Sequence, residues 1–92
     1  MLVEEQTTNA ALHEADQKYY LPTFKRLPLA FARGEGTKIW DVEGNEYLDA
    51  LAGIAVCNLG HCHPRIVKAI QEQAAKLIHI SNFFVSEPQV EL

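Results

Sequence analysis

The stretch "LAFARGEGTKIWDVEGNEYLDAL", residues 29–51, decides the fold because it alternates short β-prone runs with glycine-rich turns. Gly44 and Asn45 both tolerate positive φ, which favours a tight hairpin just before the last run. The stretch therefore predicts a three-stranded antiparallel meander with one apolar face that must pack on another element. Its three runs are Leu29–Arg33, Thr37–Val42 and Glu46–Leu51.

Helical patterns lie on both sides of this predicted sheet. Residues 8–20, "TNAALHEADQKYY", begin with a capping residue and carry apolar side chains at helical spacing, so they predict an N-terminal helix. The segment from Pro64, "PRIVKAIQEQAAKLI", places its apolar residues along one stripe and predicts an amphipathic helix. Pro22 and Pro28 favour an extended strap between the first helix and the sheet. The fold class is therefore α+β.

The last eight residues, "VSEPQVEL", carry the signals that start a helix. Ser86 can cap it and Gln89 follows three positions later, as in a capping box. A helix of this length is too short to be stable alone, since about 12 to 15 residues are marginal in water. We therefore expect the 92 residues to be the front end of a longer protein.

Composition limits the classes of partner. The formal charge is -4, from 12 acidic and 8 basic residues, and the bases are scattered singly, so we expect no nucleic-acid partner. The apolar runs are too short for a membrane span, and we expect no membrane contact. Two cysteines without an export signal predict reduced thiols and a cytoplasmic location.

The stretch "VCNLGHCHP", residues 56–64, suggests two alternatives. Cys57 and Cys62 with His61 or His63 have ligand types and spacing that zinc accepts, which leaves a small zinc-binding module as one alternative. A closed zinc site usually draws on two separated pairs, and the second pair is missing. We favour a turn at Gly60, a helix cap at His63, a small buried role for Cys57, and no metal.

Several motifs in order resemble one enzyme family. "GEGTKIWDVEGNEYLDALAG", "GIAVCNLGHCHPRIVKAIQEQ" and "HISNFFVSEP" are similar to the N-terminal segment of class-III pyridoxal-phosphate-dependent aminotransferases. The resemblance implies that residues 1–92 are the small N-terminal part of a fold-type-I transferase that works as a homodimer, with the large cofactor-binding domain absent. It also implies pyridoxal 5'-phosphate as the cofactor of the full-length enzyme.

The resemblance extends to the reaction. The segment is most similar to members that transfer the terminal amino group of N2-acetylornithine to 2-oxoglutarate in arginine biosynthesis. Members that act on ornithine, succinylornithine or 4-aminobutyrate share much of it and stay as alternatives. No lysine here lies in a context resembling the family's Schiff-base lysine, so we expect no catalytic and no cofactor-binding residue in the segment, which alone should be inactive.

The resemblance implies a wall of the substrate pocket. Gly53, Ile54 and Ala55 match positions that approach the substrate, although the apolar run by itself favours an ordinary core role for Ile54. Phe24 lies in "TFKRLP", where relatives often carry tyrosine, so packing rather than hydrogen bonding is expected there.

The resemblance also implies a subunit interface. Asn82, Phe83 and Phe84 match a loop near that interface, where aromatic side chains can anchor a partner. The alternative is a turn with one buried phenylalanine. A non-catalytic interaction module that keeps the fold without the chemistry is a further alternative for the chain.

Overall fold

A computed structural model describes residues 8–92 of the chain. A three-stranded sheet is preceded by one helix and followed by three helical segments. The elements in order are α1 (Asn9–Tyr19), β1 (Phe31–Glu35), β2 (Lys38–Asp41), β3 (Glu46–Leu48), α2 (Ala52–Ala55), α3 (Pro64–Lys76) and α4 (Glu87–Glu91).

The sheet is antiparallel with strand order β1-β2-β3, which confirms the predicted meander. Strand β2 pairs with β3 through Ile39 and Tyr47, and with β1 through Trp40 and Arg33. The guanidinium of Arg33 lies 3.7 Å from the centre of the Trp40 ring, so this cross-strand pair is also a cation–π contact. The third strand ends at Leu48, three residues earlier than predicted, because the chain then turns toward α2.

The hairpin between β2 and β3 is built by an aspartate and a glycine. The backbone N–H of Gly44 donates to the carbonyl of Asp41 at 3.1 Å, and Gly44 has φ +86°. A side chain at this position would be strained, which is why glycine suits it. Asn45, also predicted to tolerate positive φ, is not among the residues that adopt it.

Helix α1 is capped as its sequence predicts. Thr8 Oγ1 accepts a hydrogen bond from the N–H of Ala11 at 3.1 Å, and the helix ends where Tyr20 turns extended. Residues 21–29 then run as an exposed strap with no regular secondary structure.

Helix α3 begins at Pro64, as expected for a proline at the first helical position. His63 Nδ1 accepts the N–H of Arg65 at 3.2 Å, which confirms His63 as its cap. Helix α4 follows Ser86, but the Ser86 hydroxyl donates to Gln89 Oε1 at 2.8 Å and caps no backbone N–H.

The described residues form no apolar core. Within residues 8–92 no hydrophobic side chain is buried, and Ile66 and Ile70 on the apolar stripe of α3 are 41% and 63% exposed. The surface of 8456 Å² exceeds the roughly 5,400 Å² that a folded monomer of this mass would expose. The radius of gyration is 17.2 Å, against about 12 Å for a compact domain of this length. The apolar faces therefore lack a covering layer.

No helix in residues 8–92 combines the length and the apolar character that a bilayer crossing needs.

Candidate functional site

The chain reverses its backbone handedness at α2. Ala52, Gly53, Ile54 and Ala55 all have positive φ, between 54° and 65°. The left-handed conformation costs an L-residue on the order of 1–2 kcal/mol, because Cβ crowds the following carbonyl oxygen. Only Gly53 escapes this cost, and the β-branched Ile54 is the most strained of the four. We refer to Ala52–Ala55 as the left-handed turn.

Asp49 stabilises the start of the left-handed turn. Its Oδ1 accepts the backbone N–H of Leu51 and that of Ala52, both at 2.9 Å. Its Oδ2 lies 2.5 Å from Nε2 of His61. The N–H of Ala52, then His61 and the N–H of Leu51, hold the pKa of Asp49 below its usual range. The carboxylate is thus ionised at neutral pH and only accepts, so His61 donates through Nε2.

Three glycines place His61 against the sheet. Its backbone forms a two-way bridge with Gly36, at 3.0 Å and 2.8 Å. A Cβ on Gly34 would lie 2.8 Å from the His61 side chain, and a Cβ on Gly60 would lie 3.0 Å from Gly36 Cα. Gly34 and Gly60 therefore permit close approaches that another residue would obstruct. The Asp49–His61 pair is consequently tied to the β1–β2 hairpin.

A second cluster of hydrogen bonds surrounds the carboxylate of Asp41. Within residues 8–92, Asp41 is the one buried residue, at 2% exposed. The Asn45 amide and the Tyr47 hydroxyl both donate to Oδ2 at 3.0 Å, and the N–H of Glu43 donates to Oδ1 at 3.0 Å. Asn9 joins α1 to this cluster through Nδ2, which donates to Asp41 Oδ2 at 3.0 Å. This cluster is a structural clasp between α1 and the sheet.

The hydrogen bonds of the clasp set the charge state of its members. Burial alone raises the pKa of Asp41, but donation from Asn9, Asn45 and Tyr47 outweighs it, and the pKa lies well below its ordinary value of 3.8. The same carboxylate raises the pKa of the Tyr47 hydroxyl, chiefly by accepting its hydrogen bond. Asp41 is therefore an ionised acceptor throughout the neutral range.

The structure places the predicted pocket residues in two locations. Gly53, Ile54 and Ala55 lie together on the left-handed turn, and the Ile54 side chain is 80% exposed, so Ile54 does not pack as core within the described residues. Phe24 lies on the strap and is 81% exposed within residues 8–92, so the packing expected for it stays a prediction. Near it, Arg26 forms an ion pair with Asp16.

The predicted interface residues form an exposed loop. The N–H of Phe84 donates to the carbonyl of Ser81, and the N–H of Phe83 to the Ser81 hydroxyl, at 3.0 Å and 3.2 Å. Phe83 and Phe84 are 92% and 63% exposed, and Asn82 is also exposed. Neither phenylalanine is buried within residues 8–92.

The cysteines and histidines of residues 56–64 make separate contacts. His61 pairs with Asp49 and His63 caps α3, while Cys57 is half-buried rather than buried and Cys62 is exposed. Gly60 forms the predicted turn with φ +88°. Among the described residues, no group of three or more potential metal ligands converges. The geometry therefore gives the zinc-module alternative no support.

The lysines of residues 8–92 do not form a site for pyridoxal phosphate. A Schiff-base lysine needs an enclosed environment that depresses its pKa, and all five are exposed. Lys38 and Lys68 lie 3.8 Å from the carboxylates of Glu46 and Glu72, so each has a carboxylate rather than a cofactor site as its neighbour. The residues present therefore do not fit this cofactor.

Sequence reasoning missed both carboxylate clusters. The signal for Asp41 was available, because aspartate followed three residues later by Gly44 is typical of a type I turn whose first side chain accepts backbone N–H groups. The Asp49–His61 pair joins residues twelve positions apart. No local sequence pattern predicts such a contact.

Three comparisons agree on what the chain is similar to. The family model described as aminotransferase class-III matches residues 19–92. An acetylornithine aminotransferase of Caldanaerobacter subterraneus subsp. tengcongensis is 54% identical over 77 residues, which cover 84% of this chain and 20% of that protein. The chain thus spans about a fifth of the length of the curated relatives it matches.

Solved structures match the backbone as well. The acetylornithine aminotransferase of Elizabethkingia anophelis superimposes with a TM-score of 0.86 at 38% identity, over 91% of this chain and 21% of that one. An ornithine aminotransferase of Plasmodium yoelii superimposes with a TM-score of 0.86 at 31% identity, over 91% and 22%. The sheet and helices therefore have the arrangement found in these enzymes.

Proposed function

Since this chain belongs to the class-III aminotransferases, a family of pyridoxal-phosphate-dependent enzymes, we propose that residues 1–92 are the N-terminal part of such an enzyme. The single observation that carries the proposal is the match of residues 19–92 to the family model. The extra exposed surface supports it, because about 3,000 Å² beyond that of a compact monomer requires a covering layer. The rest of the enzyme would supply that layer.

We propose N2-acetylornithine as the amino donor and 2-oxoglutarate as the acceptor, within arginine biosynthesis. The support is the name of the curated relatives, which are acetylornithine aminotransferases at up to 54% identity. Ornithine is the second candidate donor, favoured by the ornithine aminotransferases among the structural neighbours. Succinylornithine and 4-aminobutyrate rest on the sequence resemblance alone.

The contribution of this segment to the reaction is to shape the substrate pocket. The left-handed turn presents the exposed Ile54 side chain and the neighbouring Gly53 and Ala55. An apolar surface of this kind can contact the carbon chain of a donor and exclude water from it. Bond breaking at the cofactor belongs to other parts of the enzyme, so residues 1–92 alone should not transaminate.

We also propose a homodimer in the cytoplasm. The exposed Phe83 and Phe84 support an interface role for the loop that also carries Asn82, because aromatic side chains supply much of the binding energy at interface centres. The free state of both cysteines agrees with a reducing compartment.

A chimeric enzyme tests the proposal. Residues of this chain replace the 77 matched residues of the Caldanaerobacter subterraneus relative. We expect the chimera to bind pyridoxal phosphate, seen by its visible absorbance, and to transfer the amino group of N2-acetylornithine to 2-oxoglutarate. The same relative without any N-terminal segment is the control and should be inactive.

The donor assignment is tested in the same chimera by comparing kcat/KM for acetylornithine and for ornithine. Preference for ornithine would move the assignment to the second candidate. A folded chimera that binds the cofactor but transaminates neither donor would contradict the proposed function.

A further inference from the structure

The left-handed turn needs a source of stability outside itself. Three of its four residues carry a Cβ in a conformation that L-residues avoid. Such strain persists only where surrounding structure over-determines the backbone, and it is commonly found at functional sites. The turn contributes no buried side chain of its own, so burial of its residues does not explain its persistence.

Three contacts in series constrain the backbone of the left-handed turn. Asp49 accepts the N–H groups of Leu51 and Ala52, His61 pairs with Asp49, and Gly34 leaves the space in which His61 lies. The side chains of Asp49 and His61 are 11% and 23% exposed, so the pair is largely shielded from water. Hydrogen bonds to an ionised carboxylate that is shielded from water are among the stronger ones in proteins.

We propose that Asp49 and His61 are positioning residues, which fix the left-handed turn so that Ile54 forms part of the substrate pocket. The inference rests on the proposed function for the pocket role of the turn, and it adds two residues to which no role had been assigned. Neither residue needs to touch the substrate. Their effect passes through the backbone N–H groups of Leu51 and Ala52.

The kinetic test uses the chimeric enzyme with His61→Ala and Asp49→Ala. We expect KM for the amino donor to rise on the order of 10- to 100-fold, as for misplaced binding groups, with kcat and cofactor content close to those of the parent chimera. His61→Gln can still donate to Asp49 and should restore most of the lost affinity. His79→Ala changes an exposed histidine outside the pair and is the matched control, which should leave KM unchanged.

Hydrogen exchange gives a readout that does not depend on activity. The N–H groups of Val56 and Cys57 donate to the carbonyl of Ala52, so their exchange reports whether the turn is closed. Both should exchange at least several-fold faster in His61→Ala, and His61→Gln should again resemble the parent chimera. If the parent chimera proves inactive, the proposed function fails. The exchange rates of Val56 and Cys57 then still test whether Asp49 and His61 position the turn.

Two outcomes would overturn the inference. One is unchanged exchange at Val56 and Cys57 in His61→Ala. The other is a lowered melting temperature with KM unchanged, because the pair would then stabilise the fold without shaping the pocket.

Discussion

Replacing Ile54 by glycine should make the left-handed turn more stable, although the change removes an entire side chain. Ile54 has φ 61° and ψ 61° and is 80% exposed, so glycine relieves backbone strain while little buried surface is lost. Relief of about 1–2 kcal/mol is offset by roughly 0.4–1 kcal/mol of extra backbone freedom in the open state. The net gain is centred on about 0.8 kcal/mol, which corresponds to roughly fourfold slower opening-dependent exchange.

Hydrogen exchange at Val56 and Cys57 in the chimeric enzyme measures this gain, because both N–H groups bond to the turn. Ile54→Ala keeps Cβ and should give a much smaller effect. Ile70→Gly, in the regular helix α3, should have the opposite effect and speed exchange within that helix, since glycine destabilises a helix interior by about 1 kcal/mol. Faster exchange in Ile54→Gly would refute the reasoning and would mean that the Ile54 side chain, not backbone strain, controls the turn.

Three further predictions concern other parts of the chain. Gly34→Ala should lower the stability of the chimeric enzyme by about 1–3 kcal/mol, because its Cβ would lie 2.8 Å from His61; an unchanged melting temperature would contradict the close approach. The pKa of folded Asp41 is lowered, so its contribution to stability is present above about pH 5 and is lost as the pH falls toward 2. The melting temperature of Asp41→Asn should accordingly fall less between about pH 4 and pH 2 than that of the parent, and an equal fall would contradict the assignment. The 92-residue chain alone should self-associate because its apolar faces are uncovered, and sedimentation as a compact monomer would contradict this.

The sheet and the main helices could be predicted from the sequence because their signals are local. Glycine between β-prone runs marks the hairpins, and Pro64 with an apolar stripe marks α3. The predicted cap at His63 was confirmed for the same reason, since a cap and the helix it precedes are neighbours in sequence. Patterns of this kind need no knowledge of tertiary contacts.

The candidate site was predictable only in part. The resemblance indicated Gly53, Ile54 and Ala55, but no pattern predicted that alanine and isoleucine would adopt positive φ. That conformation depends on the contact between Asp49 and His61. The contact forms only after the backbone of His61 has paired with Gly36 of the β1–β2 hairpin. Propensity favours the opposite handedness at these residues, and tertiary contacts prevail over it.

Exchange of the left-handed turn with and without substrate tests the central claim most directly. The claim is that residues 52–55 form a wall of an aminotransferase substrate pocket, positioned by Asp49 and His61. Saturating N2-acetylornithine should slow exchange of Val56 and Cys57 in the chimeric enzyme, and His61→Ala should require a correspondingly higher concentration for the same protection. Donor binding that is verified by turnover and leaves exchange at the turn unchanged would contradict the claim.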